Sequence, residues 1–354
     1  LLSYFIRILN WYSKYIKQGI VLILDIAVKT IDLTKRFGEI IAVNEMNLQI
    51  GSSEIFGLIG PNGSGKTTLI RMLTTVLKPT NGTASVVGYD IIRDPTDVRK
   101  SIGVVAQAMT LDVELSANEN MQLYAKYYNV PHSVRHQRIK ELLDVVGLTD
   151  RGDYTVGSFS GGMKRRLELV RSLIHHPKIL FLDEPTTGLD PQARISIWEY
   201  LRNVHKEEKI PIVITTHYLD EAETLCDRVA IVDYGHVVAL GSPLDLKRKA
   251  LGGDMVEAEF STSIDDAFEL LIKSDFALDV KIRDNSLTIL VEKGAETVPK
   301  IVELADANGA KIRSITLREP TLDDVFLQFT GRSIREDTAV RRRKFVSAWE
   351  GLRR

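Results

Sequence analysis

Cysteine is nearly absent from this chain. Cys226 is the only one among 354 residues, so an internal disulfide is excluded and a reducing, cytoplasmic setting is expected. Cys226 lies in "AETLCDRVAIV", where a small buried apolar residue fits the pattern. No HExxH and no Cys/His cluster occurs, which argues against a zinc site. A dominant sign of charge is missing as well. Lys and Arg number 46 against 47 Asp and Glu, for a formal net charge of −1. No global field draws such a chain toward nucleic acid or anionic lipid. Long apolar runs are lacking too. The segment "LLSYFIRILNWYSKYIKQGIVLIL" comes nearest, but Arg7, Lys14 and Lys17 interrupt it. No stretch reaches the roughly twenty residues that span a bilayer. Residues 1–25 read as an extension, non-native or mis-started, with a surface-lying amphipathic helix as the alternative.

What is present is the pattern of a large α/β domain followed by a smaller one. The first is expected over residues 26–249. "MNLQI" (Met46 to Ile50) alternates like a half-buried strand. "EIFGLIG", "KILFLD" and "PIVITT" are short continuous apolar runs, which suit parallel strands covered on both faces. Helical patterns between them predict a parallel core sheet. "RVAIVDYGHVVAL" predicts a hairpin turning at Asp233, Tyr234 and Gly235. Residues 110–175 hold a helical insert, where Ser116 and Glu119 form a capping box and Gly147 stops the helix "RIKELLDVVGL". Residues 255–331 read as strand, helix, strand, strand, helix, strand, helix, a small βαββαβ sandwich. There Asp284 and Asn285 turn a hairpin, Val298, Ile301, Val302 and Ala305 form one helix face, and Thr321 and Asp324 cap the last helix. No catalytic constellation is legible in it. Residues 332–354, with "VRRRKF", read as a solvated basic tail.

Chemistry concentrates in the first domain. "GPNGSGKTT" fits G-x-x-x-x-G-K-[ST] and follows a predicted strand at a predicted helix start. Gly60, Pro61, Asn62, Gly63, Ser64, Gly65, Lys66, Thr67 and Thr68 therefore form a candidate phosphate cradle. Its glycines let backbone N–H groups turn inward, Lys66 adds a point charge, and Thr67 offers a hydroxyl to Mg²⁺. "ILFLDEP" ends a strand with two acids: Asp183 is placed to reach the metal and Glu184 to act as general base for water. His217, at another strand end, can hydrogen-bond a γ-phosphate or serve a structural role. Gln107, after "IGVVA", can bind metal or water or simply be solvated. His175 and His176 sit in a turn beside Pro177 and read as structural. A second anion-type helix start appears in "SFSGGMKRRLELV", where Ser160, Gly161 and Gly162 precede a basic helical run.

Taken in order, these residues resemble the nucleotide-binding subunits of ATP-binding-cassette (ABC) transporters, over residues 28–242. "GPNGSGKTT" resembles the Walker A loop, "FSGGMKRRL" the signature loop, "ILFLDEP" the Walker B strand, "TTGLD" the D-loop and "THYLDEAE" the switch-histidine segment, with Gln107 as the Q-loop glutamine. Phe37 stands where the family stacks an aromatic on adenine. Phe159 and Met163 depart from the usual Leu and Gln of the signature. "LREPTLDDVFLQFTG" is similar to the C-terminal segment of drug- and lipid-type export ATPases.

The resemblance implies a P-loop ATPase fold with a helical insert, an antiparallel β subdomain and a C-terminal ferredoxin-like domain. It implies ATP and Mg²⁺, with Thr67, Gln107 and Asp183 toward the metal and Glu184, His217 and Gln107 in catalysis. It also implies a head-to-tail pair, in which Ser160, Gly161, Gly162 and Asp190 of one chain complete the site seated on Lys66 of the other. The partners implied are a separate transmembrane permease and a second ATP-binding subunit, at the cytoplasmic face of the membrane, with no nucleic acid. The alternative is a soluble relative acting on nucleic acid or ribosomes. Against it stand the lack of a long coiled-coil insertion and the presence of one cassette rather than two. A non-catalytic nucleotide sensor would not need Lys66, Asp183 and Glu184 intact.

Overall fold

The computed structural model describes residues 26–261, 264–283 and 286–330. The N-terminal extension, the basic tail and the turn expected at Asp284 and Asn285 lie outside the described residues. Contacts divide the chain into two units, after Leu240.

The first unit opens with β1 (Ile26–Phe37), β2 (Ile40–Met46) and β3 (Gln49–Gly51), then β4 (Ile55–Ile59) and α1 (Lys66–Leu73). β5 (Asn81–Val86), β6 (Tyr89–Asp90), α2 (Pro95–Ser101) and β7 (Ile102–Val105) follow. β1 pairs antiparallel with β2, β3 and β5, which makes an outer sheet. Met46, Leu48 and Ile50 are buried in alternation as expected, but the stretch is not one strand: Met46 ends β2, Ile50 lies in β3 and Leu48 sits between them. The helical stretch contains α3 (Ala117–Tyr127), α4 (His132–Val145) and α5 (Gly161–Ser172). Both halves of the Ser116–Glu119 capping box form, and Gly147 turns the chain out of α4 at φ 64°. A bridge between Ser116 and Thr155 closes the base of this stretch.

β8 (Ile179–Asp183), α6 (Pro191–Glu208), β9 (Ile212–Thr216), α7 (Leu219–Leu225), β10 (Arg228–Asp233) and β11 (His236–Gly241) complete the central sheet. Its order is β11-β10-β4-β9-β8-β7. β4, β7, β8, β9 and β10 run parallel, and every residue of β4, β8 and β9 is buried. That explains the unbroken apolar runs: strands covered on both faces need no polar alternation. Because they run parallel, the C-terminal ends of β4, β7, β8 and β9 reach one edge of the sheet. The Lys66 loop, Gln107, Glu184 and His217 all leave the sheet there, where open α/β sheets place ligands. Tyr234 (φ 45°) and Gly235 (φ 80°) make the two-residue turn from β10 to β11. One buried core joins the two sheets through Leu69, Ile70, Met72 and Leu73 of α1.

The second unit runs α8 (Pro243–Leu251), β12 (Asp254–Phe260), α9 (Ile264–Ile272), β13 (Ala277–Arg283), β14 (Ser286–Val291), α10 (Gly294–Ala307), β15 (Ile312–Arg318) and α11 (Leu322–Thr330). The antiparallel order β13-β14-β12-β15 is that of a ferredoxin-like sandwich. α8, which the sequence pattern joins to the first domain, packs instead on α11. Ile301 and Ala305 of α10 face the core, with Val298 and Leu304 beside them, while Val302 is only half-buried. Thr321 and Asp324 exchange hydrogen bonds at the start of α11.

Candidate active site

The loop between β4 and α1 is shaped by crowding. Gly60 holds φ 151°, and a β-carbon there would stand 2.1 Å from the Val232 carbonyl oxygen. Gly65 holds φ 109°, and its β-carbon would stand 2.3 Å from the Ala42 carbonyl oxygen. Neighbouring chain, as well as ligand access, thus demands glycine at both. The Ser64 carbonyl accepts from Gly235 N–H at 2.9 Å, so the β10–β11 turn holds the loop. α1 starts at Lys66 with no side-chain cap and no acid in its first turn. Such a start leaves backbone donors for an anion. Lys66 is buried, and its Nζ donates to the carbonyls of Gly60 (2.7 Å) and Pro61 (2.9 Å). Ser64 Oγ is buried with no hydrogen-bond partner among the described residues.

Two hydroxyls meet one carboxylate beside that loop. Thr67 Oγ1 donates to Asp183 Oδ1 at 3.1 Å and Thr215 Oγ1 donates to the same oxygen at 2.6 Å. Thr67 and Asp183 are hard oxygen donors brought together across the sheet, the kind Mg²⁺ takes.

Glu184 follows Asp183 and lies in the left-handed region at φ 48°, costly for a residue with a side chain. Its N–H donates to Thr215 Oγ1 (3.0 Å) and to the Thr215 carbonyl (3.1 Å). Its carboxylate is buried and surrounded by donors. Thr187 Oγ1 donates to Oε2 at 3.1 Å, and Gln107 Nε2 approaches the same oxygen at 3.4 Å. His217 Nδ1 lies 3.3 Å from Oε1, close to it but not aligned as a hydrogen bond. Burial by itself raises the Glu184 pKa, but His217, Lys66 and Thr187 together outweigh it, and the group sits below the usual carboxylate range. The carboxylate is therefore ionised at neutral pH and able to accept a proton. The structure sets both His217 and Gln107 against Glu184, which their strand-end positions alone left open.

The second helix start is a different place. Ser160 caps α5 by accepting from Met163 N–H at 3.2 Å, and Asp190 caps α6 by accepting from Ala193 N–H at 2.9 Å. Ser160, Gly161, Gly162 and Asp190 line one open cleft of ≈ 370 Å³ together with Arg166, and no residue of the 60–68 loop lines it. Phe37 ends β1 half exposed, with Lys35 Nζ 5.2 Å from its ring centre. His175 belongs to neither place: it stacks on Tyr128 at 3.8 Å, its Nε2 lies 3.0 Å from the Ile102 carbonyl, and burial pushes its pKa down to about 4.

Sequence reasoning missed several partners. Thr187 was in view inside "TTGLD", but a lone threonine carries no signal of reaching back three residues. Thr215 read only as a strand residue. Arg165 read as part of a basic run, yet it is buried and paired with buried Glu168. The Arg–Glu spacing of i, i+3 was the one available cue.

Comparison with known proteins shows the family. Residues 43–187 match the family described as ABC transporter, and residues 241–330 match the family described as ATP-binding protein DrrA1-3-like, C-terminal domain. The daunorubicin resistance ATP-binding protein DrrA3 of Streptomyces coeruleorubidus is 37% identical over 309 residues, covering 87% of this chain and 96% of that protein. The linearmycin resistance ATP-binding protein LnrL of Bacillus subtilis is 35% identical, covering 86% and 98%. Nod factor export ATP-binding protein I of Burkholderia lata is 37% identical, covering 86% and 97%. Among solved structures, cbiO1 of Clostridium perfringens, part of the ABC transporter complex cbiONQ, has a TM-score of 0.59 at 29% identity, covering 64% of this chain and 94% of that one. A dimeric post-hydrolysis state of the ATP-binding cassette MJ0796 with ADP and Pi has a TM-score of 0.56 at 28% identity, covering 61% and 98%. With a cassette whose Lys66 loop, Asp183 and Glu184 converge on one sheet edge, and with relatives that match along nearly their whole length, the chain belongs to the ABC transporter family, among its ATP-binding subunits of the drug-export type.

Proposed function

We propose that this chain hydrolyses ATP to drive a separate membrane permease outward, by closing on a second ATP-binding subunit. The observation that carries the reading is the separation of two half-sites. Lys66, Thr67, Asp183 and Glu184 form one, while Ser160, Gly161, Gly162 and Asp190 line a cleft that none of the phosphate-loop residues enters. Head-to-tail pairing gives each half its complement. The helix start at Gly161 then offers backbone donors to the terminal phosphate of the nucleotide seated on Lys66 of the companion chain. ATP holds the closed pair better than ADP because only ATP carries that phosphate, and a ligand shifts an equilibrium by its differential affinity alone.

Within the composite site Glu184 takes a proton from the attacking water, while Gln107 and Thr187 hold its Oε2 and His217 stands beside its Oε1. Mg²⁺, held through Thr67 and Asp183, would supply charge stabilisation to the outer phosphates. Phe37 offers an exposed ring face for adenine. No helix among the described residues is long and apolar enough to cross a membrane. The relatives, which are ATP-binding proteins of resistance and export systems, support a separate permease as the transport path, with this chain at its cytoplasmic face. The relatives' names, which speak of drug resistance and Nod factor export, support the outward direction, and none of those compared speaks of nucleic acid or ribosomes.

Glu184→Gln tests the base. It is expected to keep ATP affinity, slow hydrolysis by roughly 10²–10⁴, and leave an ATP-bound dimer visible by size-exclusion chromatography. Turnover at the unaltered rate removes Glu184 from the mechanism. Mixing Ser160→Arg with Lys66→Ala chains tests sharing: one composite site of two is restored, and mixed dimers that bind no ATP contradict it.

A further inference from the structure

Arg165 is buried on α5, one turn after Gly161, and each of its five N–H groups is placed against an acceptor. Nε donates to the Pro185 carbonyl at 2.6 Å. Nη1 donates to the Ala106 carbonyl at 2.8 Å and to Glu168 Oε2 at 2.9 Å. Nη2 donates to the carbonyls of Asp183 at 3.3 Å and Glu184 at 3.2 Å. A guanidinium has five donors in a planar fork and no more, so its capacity is filled. Three of the acceptors are the consecutive carbonyls around Glu184, and a fourth precedes Gln107.

The Glu168 carboxylate extends the junction. Its Oε1 accepts from Thr110 N–H at 2.7 Å and Thr110 Oγ1 at 3.1 Å. The stretch from Ala106 to Thr110 is thereby tied to α5 at both ends, with Gln107 inside it. Glu184 meanwhile stands in a left-handed conformation that local energetics disfavour. Thr215 holds its N–H from one side, and Arg165 holds its carbonyl from the other. An orientation fixed at both peptide groups sets where the carboxylate points.

We infer that Arg165 is a positioning residue for hydrolysis, holding Glu184 and Gln107 in mutual register from the helix whose first turn bears the signature glycines. It touches no substrate and acts through Glu184, so the inference rests on the reading of Glu184 as the base. A lysine cannot replace it, because an ammonium on a single stem does not span four carbonyls.

The test is a double-mutant cycle with Glu184→Gln. Removing Arg165 alone leaves Glu168 buried without its cation, so the variant used is Arg165→Gln/Glu168→Gln, which is neutral and keeps hydrogen-bonding groups at both positions. ATP affinity is expected to stay within about threefold, because the Lys66 loop is untouched, while kcat falls about tenfold or more. On the Glu184→Gln background the same change is expected to cost less than about threefold in single-turnover rate. Three results overturn the inference: kcat within about threefold of the unaltered protein, an equal loss on both backgrounds, or a parallel fall of kcat, ATP affinity and melting temperature, which includes failure to fold. Failure of the base reading shows separately, as a Glu184→Gln chain that turns over normally by itself.

Discussion

Thr215→Val asks how much of the site depends on one hydroxyl. Thr215 is fully buried, and valine matches its shape, so packing is nearly conserved. Two bonds are lost. The 2.6 Å bond to Asp183 Oδ1 is charge-assisted and worth about 1.5–3 kcal/mol. The 3.0 Å bond from Glu184 N–H is worth less, because that N–H keeps the Thr215 carbonyl at 3.1 Å. The residual bond from Thr67 to Asp183 spares the carboxylate full isolation. The expected loss is therefore about 2–3 kcal/mol of stability, and more than about 4 kcal/mol would require leaving Asp183 wholly unpaired. Urea unfolding followed by far-ultraviolet circular dichroism reads the shift in the transition midpoint at constant slope. Hydrolysis is read in parallel, because Thr215 also holds Glu184 from the N–H side. Thr215→Ser keeps the hydroxyl and loses only a methyl, so it should retain most of the turnover. A valine variant within about 0.5 kcal/mol of the parent refutes the assignment. So does a serine variant that loses as much activity as valine.

Two further substitutions probe different physics. Gly65→Ala is expected to destabilise the phosphate loop by about 1–3 kcal/mol, since the new methyl meets the Ala42 carbonyl at 2.3 Å; nucleotide-binding titration should show weakened affinity, and unaltered affinity counts against the crowding argument. Glu221→Gln tests a buried acid on α7 whose pKa is raised because burial outweighs its hydrogen bonds. Its Oε1 accepts from Thr186 Oγ1 (2.9 Å) and Trp198 Nε1 (2.8 Å), bonds an amide oxygen preserves. In the parent, the unfolded chain releases this proton near the ordinary carboxylate value while the folded chain retains it. The contribution to stability is thus present at low pH and lost as pH rises toward the folded pKa. The variant lacks that loss, so its melting temperature relative to the parent should climb as pH rises above the ordinary carboxylate value; a difference that stays flat there refutes a raised pKa.

The parts of the site that were legible in the sequence are those in which short-range chemistry dictates residue order. The phosphate loop is local: Gly60, Lys66 and Thr67 act within one turn, so spacing alone reveals them. The fully buried strands were legible because doubly covered strands suppress polar alternation over five residues at a time. The unit boundary was not. α8 reads as a continuation of the first domain, and only its packing against α11, some seventy residues later, assigns it to the second. The roles of Gln107 and His217 were likewise half legible. Their strand-end positions are visible, but that both face Glu184 depends on the order in which β7, β8 and β9 lie in the sheet.

The polar ties were the least legible part, and the reason is physical. A residue such as Arg165 is chosen for carbonyls contributed by residues far along the chain, and a carbonyl has no letter in the sequence. Four of its five bonds go to backbone, which any side chain leaves unchanged. From composition, "MKRRL" looks like a solvated basic face, with Lys164, Arg165 and Arg166 equivalent. In the fold they separate: Arg165 is buried at the junction, while Arg166 borders the cleft of Ser160 and donates to the Val146 carbonyl at 2.8 Å, so adjacent charges of one sign serve different partners. On the proposed reading, the helix that presents the signature to a companion chain is also the helix that fastens the chain's own base. Arg165 thus links α5 directly to the carbonyls of Asp183, Glu184 and Pro185 through one planar group.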